Sequence, residues 1–167
     1  MSTNNPYVAP RADLAEPNGE KIEASRSRRL VAALIDTALN ASIIVPLMWL
    51  GGALNDADEG REPPFLELLG YGMLGIAIYF ALNAYFLKRD GQTIGKKCVG
   101  ICITDLEGRK VPLSKIIFLR YLPVSIVSII PHIGQLLGLI DVLPIFGKNR
   151  RCLHDRIAGT RVLNVKR

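Results

Sequence analysis

Charge is almost missing from three long stretches of this 167-residue sequence. Residues 30–54, 68–87 and 116–147 make up 77 positions, yet they hold only Asp36, Arg120 and Asp141 of the chain's 36 charged residues. The surface of a soluble protein needs polar and charged residues at every helical turn, so this scarcity excludes an ordinary soluble globule. The apolar runs equally exclude a disordered chain. Cysteine is scarce as well: Cys98, Cys102 and Cys152 are the full set, too few for a disulfide scaffold. With His154 they would make a Cys3His set, but the spacing matches no zinc-binding pattern, so neither a metal nor a cofactor is expected. Gly91–Lys97 lacks the spacing of a phosphate loop, and no serine or cysteine sits in a nucleophile turn. These gaps point away from an enzyme. The first 29 residues show no apolar core or cleavage pattern, so no signal peptide is expected.

What is present is length and apolarity. Leu68–Leu87 runs 20 residues without a charge, about 30 Å of helix and enough to cross a bilayer core. Leu30–Leu54 is long enough to span with some tilt, with Pro46 expected to kink it. The third stretch is interrupted by Pro123, Pro131–His132, Gly134, Gly138 and Pro144. As one helix it would be about 48 Å, too long for a single crossing. Two pieces, about 113–130 and 132–147, are the better reading, either as short spans or as a re-entrant hairpin.

The charges that remain set an expected orientation. The 55–67 loop is net −4, residues 88–115 are net +4, and 148–167 are net +6. By the positive-inside rule both termini and the 88–115 loop are cytoplasmic and the acidic loop is outside, the pattern of a multi-pass membrane protein. Because the basic residues cluster at span ends, they read as topological signals, and no nucleic-acid partner is expected.

Residues 1–25, rich in Asn, Pro and acids, read as a disordered cytoplasmic tail, and 26–167 as one membrane domain with spans at about 30–54, 68–87, 113–130 and 132–147. The fold class is an all-α polytopic membrane protein of about four transmembrane or re-entrant helices with a small cytosolic β-cap over 88–112 and 148–167. In that cap Val99, Ile101 and Ile103 alternate with smaller residues as a strand with one packed face. Asp105–Gly108 supplies a turn, Arg109–Leu113 a return strand, and Thr160–Val165 a third strand. Asn149 is placed to cap a short interfacial helix in which Leu153 and Ile157 share a face.

Three motifs in order resemble a known family. Arg29-x-x-Ala32-x-x-Ile35-Asp36 opens the first span, and Gly91-Gln92-Thr93-Ile94-Gly95-Lys96-Lys97 follows the second. Arg151-x-x-His154-Asp155-x-x-Ala158-Gly159-Thr160-x-Val162 closes the chain. Together they are similar to the RDD family of bacterial integral membrane proteins, named for one arginine and two aspartates. The resemblance makes Arg29 the arginine and Asp36 the first aspartate; Asp155 is taken as the second, with Asp141 the other candidate. It implies a transport role, with sodium/proton exchange linked to some members.

Asp36 stands out on physical grounds alone. It lies about two turns inside the first span, where a carboxylate costs roughly 2.5–3.5 kcal/mol on insertion scales. Arg29 is seven residues earlier on the same helical face and Asn40 one turn later. The expectation is a carboxylate that exchanges a proton for a monovalent cation, tuned by Arg29; the bland reading is an ion pair that fixes helix packing. Asp155 and Asp141 are secondary candidates; a proton relay through His132 is conceivable on paper, but His132, at the outer turn of the hairpin, reads as an ordinary interfacial residue. Asp155, His154 and Arg151 read as part of a cytoplasmic salt-bridge network reaching Arg28 or Arg29. Lys96 and Lys97 are expected to touch anionic lipid headgroups. Four short helices can hardly line a full pathway, so a homo-oligomer is expected. The competing function is a non-transporting accessory module that binds a membrane partner or anionic lipid.

Overall fold

The computed structural model describes residues 22–54, 60, 64–128, 130, 133–147 and 151–165. The N-terminal tail, most of the acidic loop, Pro131–His132 and Asn149 therefore lie outside the described residues. Among the rest the protein is mostly helical, with two long apolar helices and a two-stranded sheet.

Helix α1 spans Arg26–Leu50, and the Ser25 hydroxyl opens it by accepting the Arg28 N–H at 3.3 Å. Pro46 lies inside it. Helix α2 spans Phe65–Asp90, with Lys88 and Arg89 in its last turn, where cations suit the carbonyl end of the helix dipole. Gly91 ends it in the left-handed region at φ 65°, a conformation open to glycine at little cost. Both helices are long and apolar enough to cross a membrane. Helix α1 starts and stops four residues before its apolar run, and α2 overruns its own by three residues at each end. Caps and backbone hydrogen bonds set helix ends, whereas the absence of charge marks only the apolar part.

A short helix, α3, spans Ile94–Val99 between the Thr93 cap and Gly100 at φ 70°. This corrects the strand expected from Val99 onward: Thr93 and Gly100 bracket one helical turn and a half, and the strand begins only after the glycine. Strand β1 is Ile101–Asp105, and β2, Thr160–Asn164, pairs with it antiparallel so that Ile103 faces Val162. The segment before α1 covers the other edge of β2 through the Glu23–Leu163 bridge and the Ala24 N–H to Val162 carbonyl bond at 3.0 Å. The Asp105–Gly108 turn forms, but the return strand over Arg109–Leu113 does not; a single bridge joins Thr104 to Lys110. Val111 leaves the ladder for the core, and Pro112 has no N–H to donate. Ile101 through Thr104 are all buried, so β1 is covered on both faces where one packed face was expected.

The chain continues through α4, Leu113–Lys115, a π-helical stretch, Ile116–Tyr121, and α5, Leu122–Ser128. The wide turn directly precedes Pro123, which lacks the N–H that would bond to Leu119, a common setting for such a bulge. Within this stretch Ile116 and Arg120 are buried. Helix α6, Ile133–Val142, runs into a 3-10 turn at Leu143–Phe146 and packs on α5. These two pieces cover 16 and 14 residues, about 24 and 21 Å at helical rise, short of an average bilayer core. Helix α7, Leu153–Ile157, precedes β2, with Cys152 rather than Asn149 at its cap position. The densest core, which includes Ala32, Leu87, Ile101, Ile103, Ile116 and Val162, lies where the sheet meets the ends of the helices nearest it.

Candidate functional site

Helix α3 is too short to be stable alone, and its first N–H groups need partners. Three side chains supply them. The Thr93 hydroxyl accepts the Lys96 N–H at 3.2 Å, Asn83 Oδ1 on α2 accepts the Ile94 N–H at 2.8 Å, and Asp36 Oδ1 on α1 accepts the Gly95 N–H at 2.7 Å. The Thr93 hydroxyl in turn donates to Asp36 Oδ2 at 2.5 Å. Asp36 is 6% exposed, and both of its oxygens therefore hold the N-terminus of α3 against α1. A β-carbon at Gly95 would stand 2.1 Å from the Ala32 carbonyl oxygen, which is why glycine occupies the contact. The Gly91–Lys97 motif is thus a docking element. Gly91 turns the chain, Gln92 Nε2 bonds the Ile101 carbonyl at 2.9 Å, Thr93 caps, and Gly95 allows close approach.

Arg29 does not pair with Asp36. Its Nη1 meets Asp155 Oδ2 at 3.0 Å and its Nη2 the Val162 carbonyl at 3.3 Å. Seven residues of helix carry Arg29 to the end of α1 facing α7 and β2, while Asp36 faces α3, so the expected tuning pair is replaced by two separate nodes. Asp155 is fully buried and carries a second ion pair, to Arg120 from the π-helical stretch. Arg120 also donates to Thr160 Oγ1 at 2.8 Å, and the Cys152 N–H donates to Asp155 at 3.3 Å. Arg151 braces the same corner through the Asp155 and Thr160 carbonyls, each at 3.0 Å. Of the two candidate second aspartates, Asp155 is the one that meets Arg29. Burial by itself would raise the Asp155 carboxyl, but Arg120, then His154 and Arg29, hold it below the ordinary carboxylate value.

Asp141 on α6 forms a third node. Its Oδ1 accepts the His154 N–H at 2.8 Å and its Oδ2 lies 2.5 Å from His154 Nδ1, so α6 is tied to α7. His132 lies outside the described residues, and Asp141 is engaged by His154. Lys96 and Lys97 part company because consecutive helical residues point about 100° apart. Lys97 is exposed, over the Phe86 ring and 3.9 Å from Asp90, while Lys96 Nζ turns inward to the Tyr121 hydroxyl at 3.1 Å. Lys97 thus stays on the outer surface, whereas Lys96 faces the interior of the molecule.

The Asp36 and Asp155 nodes border a single cleft of about 1130 Å³ between α1, α2, α5 and the α6 region. Its walls are mostly apolar, including Leu30, Ile44, Met48, Ile76 and Phe146, and Asn40 also lines it. Among buried polar atoms, Asn40 Oδ1, Arg29 Nε and Arg120 Nε have no hydrogen-bond partner among the described residues. Sequence reasoning missed Asn83 and gave Thr93, Gly95 and Thr160 only as motif residues, without a role in the site. Asn83 was the one amide in an otherwise apolar span, and Thr93 followed by Gly100 was a helix start and stop that the strand reading overlooked.

Cys152 Sγ, a His154 ring nitrogen and an Asp155 oxygen fall within 4.8 Å of one another. That set does not suit a metal, because an added cation would meet Arg29 and Arg120 already on the same carboxylate. Burial pushes the Cys102 and Cys152 thiols up to about 11. The exposed Cys98 should therefore be alkylated by iodoacetamide at pH 7.5 well before the other two, read by peptide mass spectrometry. Equal labelling of all three would mean that the cap is not closed as described.

A protein of Haemophilus influenzae described as uncharacterized is similar, 28% identical over 142 residues that cover 84% of this chain and 78% of its own length. No solved structure matches this chain. Residues 23–159 match the family model described as RDD family. With that match, and with Arg29, Asp36 and Asp155 placed at the joints between the long helices and the cap, the chain belongs to the RDD family and is a membrane protein.

Proposed function

We propose that the protein is a four-segment inner-membrane protein, both termini cytoplasmic, that exchanges a small monovalent cation for protons at Asp36. The observation that supports this reading is that Asp36 and Asn40, one turn apart on α1, both line the cleft. The carboxylate is buried, and the buried amide oxygen one turn away has no hydrogen-bond partner among the described residues. Hard cations favour oxygen ligands of these two kinds. The charge asymmetry of the loops supports the orientation, and pieces of 16 and 14 residues support an assembly of several copies around a complete pathway. On this reading the chain is a transporter and not an enzyme.

The test uses full-length protein in liposomes loaded with a pH-sensitive dye. Sodium, lithium or potassium gradients should drive proton movement. Asp36→Asn should abolish it, since the amide keeps an acceptor for the Gly95 N–H but cannot cycle a proton. Asn40→Leu, which removes an oxygen that no described residue uses, should weaken cation dependence at least tenfold without unfolding the chain. If wild type moves no protons under any gradient, exchange is overturned. The second reading, an accessory module, then stands on its own observation: both Asp36 oxygens are spent on anchoring α3.

A further inference from the structure

The cleft is unbalanced in charge. Arg26, Arg29, Lys96 and Arg120 line it, against Asp36 and Asp155. Both carboxylates are already answered from within the chain, Asp36 by Thr93 and Gly95, and Asp155 by Arg29, Arg120 and Thr160. Three buried guanidinium Nε groups have no acceptor among the described residues, and two of them, those of Arg29 and Arg120, belong to residues that line this cleft. Buried cationic donors in excess of their acceptors are costly unless an anion completes them. The rest of the wall is aliphatic and aromatic, and mostly apolar clefts with a few convergent polar groups take amphiphilic small molecules.

We infer that the cleft holds one anionic glycerophospholipid, its phosphate at the Arg29–Arg120–Lys96 end and an acyl chain along the apolar walls of α1, α2 and α5. Arg29 and Arg120 each keep Nη1 on Asp155 and offer the phosphate their Nε–H groups. Lys96 offers its ammonium from the Tyr121 side. Arg26 is held by the Ile145 and Phe146 carbonyls and contributes charge only. The inference stands apart from the exchange reading, since it uses the cationic end of the cleft and not the Asp36–Asn40 pair.

The test titrates full-length protein in a neutral maltoside detergent with dioleoyl phosphatidylglycerol, dioleoyl phosphatidylcholine or inorganic phosphate. Thermal unfolding and native mass spectrometry are the readouts. Phosphatidylglycerol should remain as a one-to-one adduct and raise the melting temperature; phosphatidylcholine and phosphate should do neither. Lys96→Gln should weaken retention several-fold. Ser125→Phe, which fills the apolar wall without touching a charge, should abolish it. Equal retention of phosphatidylcholine would overturn the role of the cations. An equal effect of phosphate alone would overturn the role of the apolar wall, and no adduct with any lipid would overturn the site.

Discussion

Asp155→Ala should be the most damaging single substitution in the protein, lowering stability by about 3–5 kcal/mol. The side chain is fully buried and sits between Arg29 and Arg120. Removing it leaves two guanidinium groups facing each other out of water, so the loss reflects uncompensated charge more than a missing contact. For a chain of this size the melting temperature in detergent, followed by circular dichroism, should fall by roughly 10 °C or more. Replacing all three charges together, Arg29→Leu with Arg120→Met and Asp155→Leu, should restore much of the loss, because apolar groups of similar volume need no partners. A melting temperature for Asp155→Ala within a degree or two of wild type would remove the triad from the account of stability.

The same carboxylate carries an acid limb. Its value is lowered in the folded state, so it contributes stability that is present above the unfolded value and lost as pH falls through the folded one. Wild type should keep this contribution through neutral and mildly acidic pH and lose it only below the ordinary carboxylate value of 3.8. Asp155→Asn should lack that part of the acid dependence, measurable by urea unfolding across a pH series.

Gly95→Ala should rank second, at about 3 kcal/mol, the upper end of overpacking costs. The added carbon would lie 2.1 Å from the Ala32 carbonyl oxygen and 2.9 Å from Asp36 Cγ. The nearer contact is backbone and cannot rotate away, so α3 must lift from α1 and give up the Asp36 bonds. Gly70→Ala is the matched control: it is also helical, with nothing within 4 Å of the added carbon. It should hold or raise stability by up to about 1 kcal/mol through better helix propensity. If the two variants melt alike, the close approach of α3 to α1 is wrong.

Several features were readable in advance because they depend on local chemistry. The two long helices follow from uncharged runs of sufficient length, the Asp105–Gly108 turn from its residues, and β2 from its apolar pattern. The strand reading of Val99 and the return strand at Arg109–Leu113 failed for a common reason. Alternation was counted across a helix stop at Gly100 in one case, and in the other the residues after the turn were claimed by the core. The site shows the same division. Asp36 and Arg29 are conspicuous because charge inside or beside an apolar helix is costly, but their spacing on one helical face suggested a pair that the fold does not make.

The sequence alone determined that this is a membrane protein of the RDD kind, since the lengths of uncharged runs and the three motifs are properties of the chain and need no neighbours. Partnership was beyond it. Whether Asp36 would meet Arg29, Thr93 or open water depended on where α3 and α7 dock, 57 and 126 residues along the chain from their partners. Long-range docking is set by how many buried donors and acceptors can be satisfied at once, and here that condition separates Asp36 and Arg29 into two nodes on the border of one cleft.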